Sequence, residues 1–198
     1  MADDCGDISE DINRNCDNPL TLGANDDVYL INWNDWQEAT ITRDVNNPKI
    51  ITNIVMGSGG YAYKMSGFNN SPGHTATSKK TAYGQGWEHK LSYLVFDLSP
   101  DTKAQIDKKN LGKFVAVVIN NYRGTGGNAA IEVLGTAVGL TVPDGGIVRD
   151  VNSAENDGAF AITMQTNLAK GKETGTPDVL YSTSYAVSKA ILDSLLVP

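Results

Sequence analysis

Cysteine and histidine are scarce: the 198 residues contain two of each, Cys5, Cys16, His74 and His89. A structural zinc site needs four nitrogen or sulfur ligands, and these four are scattered too widely to supply one, so no metal and no cofactor are expected. Long apolar runs are missing too. The longest, Phe114 to Ile119, falls far short of the ~18 residues of a membrane-spanning helix, so no membrane anchor is expected. Positive charge is the minority sign, with 16 Lys and Arg against 23 Asp and Glu and a net charge of −7. That balance argues against a protein that grips nucleic acid by neutralising phosphates. Lys79-Lys80 and Lys108-Lys109 are the only adjacent basic pairs. The opening MADDCGDISEDINRNCDNPL is too acidic and too polar for a signal peptide. The reading therefore places the chain in the cytoplasm where it is made, with both thiols reduced.

What the chain does have is glycine, 20 residues of it, and an ordinary 40% of hydrophobic residues. Residues 1–27 read as an arm, rich in Asp and Asn and punctuated by Pro19 and Gly23. A main domain over 28–183 and a helical segment over 184–198 follow. Within the domain, Val28 to Trp33, Lys49 to Val55 and Tyr61 to Met65 are β-favouring runs, with Asn34-Asp35-Trp36 as a turn. Residues 66–86 hold Gly, Pro, Ser, Thr, Asn and Lys with few apolar groups. They read as a loop of unusual length, a class of loop that often carries function.

Trp87 to Asp97 restores a strand. Ser99-Pro100-Asp101 is the clearest helix start in the chain, with a capping hydroxyl, a proline at the first helical position and a carboxylate at the positive end of the helix dipole. Gly112 closes that helix; Ala104, Ile106 and Leu111 are expected to bear on the sheet. Phe114 to Ile119 is a continuous apolar run, as in a strand buried on both faces. Ala129 to Leu134, Gly139 to Val142 and Ala159 to Thr166 are further strands. Tyr185 to Val197 has apolar residues at helical spacing. The expected class is α+β: a mostly antiparallel β-sandwich or barrel with one flanking helix, an N-terminal arm and a C-terminal helix.

No catalytic constellation is legible, and the chain is not expected to be an enzyme. Gly57-Ser58-Gly59-Gly60 and Gly124-Thr125-Gly126-Gly127 lack the Gly-Lys-Ser/Thr of a phosphate loop. Glu88 and His89 are strand neighbours that point to opposite faces. His74 lies in the long loop with no acidic residue beside it. The remaining carboxylates are scattered on turns.

From Gly60 to Leu168 the order of elements resembles the tail tube proteins of tailed bacteriophages. A tyrosine-rich strand, Tyr61 to Gly67, leads into the long loop to Gly86. A strand ending in aspartate, Trp87 to Asp97, precedes the short helix Ser99 to Asn110. The valine strand Lys113 to Asn120 follows, then Glu132 to Leu140 and the acidic turn and strand VNSAENDGAFAITMQ, Val151 to Gln165. The segment from Cys5-Gly6 through Asn15-Cys16-Asp17-Asn18-Pro19-Leu20 is similar to the start of such proteins from phages of gut Bacteroidetes. The resemblance implies a tail-tube β fold and a structural role in the virion. Six copies would form a ring, and stacked rings would form a conduit for genome ejection.

The implied partners are further copies of the chain, the tail terminator, the baseplate or tip, and the tape measure protein. Genomic DNA would pass through the lumen without specific binding. Phe68 and Tyr83 in the loop, together with Trp36, are the aromatic side chains expected at subunit contacts. Two other readings remain open: another ring-forming tail or head-to-tail connector component, and a carbohydrate-binding β-sandwich presenting Trp33, Trp36 or Trp87 on an open face.

Overall fold

A computed structural model of the chain describes residues 21–67, 71–81, 84–154, 156–169 and 171–198. The first strand, β1, runs over Ala24–Asn32 and turns directly into a short helix, α1, over Trp33–Glu38. Then come β2 (Thr40–Arg43), β3 (Ile50–Val55), β4 (Ala62–Ser66), β5 (Gly73–Thr81) and β6 (Gly84–Val95). Helix α2 spans Pro100–Leu111 and β7 spans Lys113–Asn120. The remaining strands are β8 (Ile131–Leu134), β9 (Leu140–Thr141), β10 (Ile147–Arg149), β11 (Phe160–Thr166) and β12 (Asp178–Leu180). Helix α3, Tyr185–Ser194, ends the series. Of the expected segments 1–27 and 66–86, residues 1–20, 68–70 and 82–83 lie outside the described residues, so the expected arm is described only over 21–27.

All twelve strands belong to one mostly antiparallel sheet, with a path β2-β3-β12-β8-β7-β9-β11-β6-β5 and with β1 pairing both β4 and β7. The one parallel pair joins β3 to β12, Ile50 opposite Val179. The sheet is open among the described residues, so of the expected sandwich or barrel the closed barrel is not formed. The architecture is α+β, with three helices rather than the expected two.

Why the middle of the sheet lies deepest follows from β7. Its residues Val115, Ala116, Val117 and Val118 are all fully buried, as a continuous apolar run on two faces requires. On one face Val115, Val117 and Ile119 join Tyr29, Ile31, Ile51, Ile54, Leu180 and the helix residues Trp36, Leu192 and Leu195. On the other, Ala116 and Val118 join Val28 and Leu30, then Leu91, Tyr93, Ile162 and Met164. The β11–β6 end of the sheet therefore folds over its own middle.

Helix α2 starts as its sequence dictates. Ser99 Oγ accepts the Thr102 amide at 3.2 Å, with Pro100 inside the first turn and Gly112 as the terminal cap. Its buried face departs from expectation. Ile106 is buried, but Leu111 is 91% exposed and Ala104 faces solvent, while Lys109, one turn from Ile106, takes the inward position. Two other expectations are corrected. The Asn34-Asp35-Trp36 turn is helix α1, because Trp36, three residues after Trp33, turns onto the core. And the 66–86 loop is largely a β-hairpin: β5 pairs with β6 over nine positions, from Gly73 opposite Ser92 to Thr81 opposite Gly84.

Candidate functional site

The polar chemistry gathers where the two ends of the sheet are fastened. At one end, β5 pairs among the described residues only with β6, and β6 runs past β11: the β6–β11 ladder begins at Lys90 and ends at Val95. Among the described residues, the distal half of the hairpin, from Gly84 to His89, has its one backbone bridge to a further segment at Trp87. There Trp87 and the backbone of Glu173 exchange two hydrogen bonds of 2.9 and 3.0 Å. Gly86 permits this approach. A Cβ placed on it would stand 2.7 Å from Lys172 Cβ and 3.1 Å from the Glu173 carbonyl oxygen, closer than a side chain tolerates. The Glu173 carboxylate is buried and accepts the Ala137 and Val138 amides at 2.9 and 3.0 Å, which replaces the water it gives up.

His89 is buried beside it. Its Nε2 donates to the Gly175 carbonyl at 2.8 Å and its Nδ1 accepts the Gly135 amide at 3.2 Å, which defines one neutral tautomer. Burial pushes its pKa below the usual histidine value. With both nitrogens occupied, this ring is a structural tie between β6 and two loops. His74, at the inward face of β5, hydrogen-bonds through Nε2 to the Glu132 carboxylate on β8. The expectation of no acid near His74 is thereby overturned, since Glu132 is 58 positions away in the chain. Burial works against the ionised form of Glu132. The hydrogen bonds from His74 and Asn120, together with the nearby His74 charge, outweigh it and hold the carboxyl below its usual range. On the outward face Lys79 pairs with Glu88 at 2.9 Å.

At the opposite end, β2 pairs among the described residues only with β3. Here Asp178 is the anchor, its side chain 7% exposed. It accepts Arg43 Nη2 at 2.7 Å, Lys49 Nζ at 3.1 Å and Thr136 Oγ1 at 3.0 Å, so one carboxylate joins β2, the start of β3 and the turn after β8. Among the described residues no group of three or more His, Cys, Asp and Glu side chains is arranged to hold a metal, and no helix is long and apolar enough to cross a membrane.

Of the three aromatic residues expected at subunit contacts, Phe68 and Tyr83 lie outside the described residues. Trp36 is 5% exposed and packs in the core, with Nε1 donating to the Thr136 carbonyl at 3.3 Å. Trp33 is half-buried with the Lys113 ammonium 3.7 Å from its ring centroid, and Trp87 is half-buried on β6. The three tryptophans thus do not share one open face. Glu132, Glu173 and Asp178 escaped sequence reasoning because each meets its partners through the fold and not along the chain. Their one local signal was an acidic side chain within or beside a short β-favouring stretch. Comparison with protein families, with curated proteins and with solved structures finds no match to the chain.

Proposed function

We propose that the chain is the major tail tube subunit of a tailed phage, a structural virion protein that assembles into hexameric rings stacked as the conduit for DNA ejection. One observation carries the reading beyond the resemblance of its sequence: among the described residues the sheet is open, with strands paired on one side only at both ends, β5 and β2. An unpaired strand presents a row of backbone donors and acceptors, and β5 extends it over nine residues. Monomeric proteins keep such edges short, bulged or covered. The edge of β5 is neither short nor apolar; its Thr, Ser and Lys side chains suit a strand that is soluble alone and completed by a neighbouring copy. The ties at Glu132, Glu173 and Asp178 hold both edges in place before any partner arrives. The net charge of −7 suits a channel wall that passes a polyanion without holding it.

Negative-stain microscopy of the concentrated full chain tests the proposal. Rings of six or tubes are the expected result. A species that stays at 21.2 kDa across concentration, with no rings in micrographs, refutes it.

A further inference from the structure

Lys109 occupies a position at which a lysine needs an explanation. It is 7% exposed, its Nζ lies 2.9 Å from the Met65 sulfur and 6.0 Å from the Tyr93 ring centroid, and neither group carries negative charge. None of the ion pairs found among the described residues includes it. Asp97, the nearby carboxylate, is engaged by the Ser99 amide and hydroxyl and by the Thr102 hydroxyl. The Tyr93 hydroxyl is also buried and has no hydrogen-bond partner among the described residues. A buried ammonium with only a thioether for company is strongly disfavoured unless something neutralises it.

Space for that something adjoins it. A hollow of about 530 Å³ lies between α2 and the β1–β4–β7 surface, and a second of about 710 Å³ shares Met65, Gln105 and Lys109 with it. Both fall within the ~300–1,000 Å³ typical of small-molecule sites. The walls of the first are Leu30, Tyr63, Met65 and Phe114, and its only charged residues are Lys108 and Lys109. A cationic, apolar-walled hollow in a chain of net charge −7 runs against the charge of the whole molecule.

We propose that this hollow binds a small anionic amphiphile, a carboxylate on an unbranched apolar chain, with the Lys109 ammonium on the carboxylate and Leu30, Met65 and Phe114 around the chain. The two lysines outweigh the partial negative charge of the α2 C-terminus nearby. Burial pushes Lys109 down to about 8, so the amine is still mostly protonated at pH 7 and a bound anion would raise its pKa again. Each further methylene buried should tighten binding about fourfold until the chain fills the hollow. This site does not depend on self-assembly, and monomer or ring serves equally for its test.

Isothermal titration of the full chain with decanoate at pH 7 reads it out, alongside octanoate, acetate, decanol and decylamine. The expected result is saturable one-site binding of decanoate below its micelle concentration, with octanoate, two methylenes shorter, about fifteenfold weaker. Decanol and decylamine should each bind at least tenfold more weakly than decanoate, and acetate should not compete. Lys109→Met should lower decanoate affinity at least tenfold and leave decanol unchanged. In the wild-type chain the Met65 methyl resonance should move on adding decanoate while that of Met56 stays. The site is refuted if decanoate does not saturate, if decanol or acetate matches it, if Met65 does not respond, or if Lys109→Met binds as well as wild type. Should that variant not fold, the wild-type ligand series and the Met65 resonance decide alone.

Discussion

Replacing Lys109 by Met removes a charge from the interior and keeps a flexible side chain of similar length. The size of the effect can be worked from the change in proton affinity. Burial takes the Lys109 pKa from 10.5 to about 8. Between those values the unfolded chain holds a proton that the folded chain has released, so wild-type stability rises with pH across that window. At 1.36 kcal/mol per pH unit, the rise between pH 7 and 9.5 amounts to about 2 kcal/mol. The Met variant lacks this contribution. It should therefore be more stable than wild type at pH 7, with its advantage shrinking by about 2 kcal/mol at pH 9.5.

The groups around Lys109 leave that window clear. Burial holds the Tyr93 hydroxyl well above the usual tyrosine range, the Thr102 and Ser99 hydrogen bonds hold Asp97 below the carboxylate range, and the Asp27 hydrogen bond raises Lys64. Urea unfolding of both proteins at the two pH values measures the change in advantage. An advantage that is constant to within about 0.5 kcal/mol would mean that Lys109 titrates like a surface lysine, and the buried-charge argument would fail.

Three further outcomes are expected. Ile106→Ala should lower stability by about 2–4 kcal/mol in chemical denaturation, since Ile106 is 3% exposed and is the one apolar side chain by which α2 is buried; a loss under about 0.5 kcal/mol would contradict that packing. Glu132→Gln should speed hydrogen exchange in β5 and remove a stability term that wild type holds above about pH 4.5 and loses as pH falls through the lowered pKa of Glu132, so an unchanged acid limb would count against the His74–Glu132 tie. Asp178→Ala should cost about 1–3 kcal/mol and loosen β2 first in hydrogen exchange, because Arg43, Lys49 and Thr136 all lose their acceptor; uniform loosening of the whole sheet would oppose a local anchor.

Local signals served well where local forces decide. The Ser99 cap, Pro100 and Gly112 frame α2 through hydrogen bonds and dihedral restrictions within a few residues, and the structure keeps all three. The valine strand announced its own double burial. By contrast, β5 reads GHTATSKKT and buries little apolar surface, so composition suggested a loop. Its pairing with β6 and the reach of His74 to Glu132 hold it instead, and the alternating Thr75, Thr77 and Thr81 were the overlooked β-favouring sign. Helix α1 is six residues long, too short for periodicity to show. Lys109 stands in the last turn of α2, where a cation suits the helix dipole. Its inward turn, however, depends on β4 and β6, which no neighbouring residue foretells. Glu173 and Asp178 looked like turn carboxylates because their partners lie from 35 to 135 positions away.

The single parallel pair has a consequence for the order of events during synthesis. Ile50 and Ile51 on β3 dock against Val179 and Leu180 on β12, and Lys49 waits for Asp178, 129 residues later. The β2–β3 ribbon is therefore translated early and left without its place in the sheet until residues 178–180 have been made. Contacts this distant in sequence form late and slowly. A nascent chain stalled before residue 178 would carry β6, α2 and β7 with β2 and β3 unattached, and with that edge not yet set. Pairing at that edge between half-made chains would be disfavoured by timing. Force-pulling or arrest-release measurements on chains truncated either side of residue 180 would locate that step.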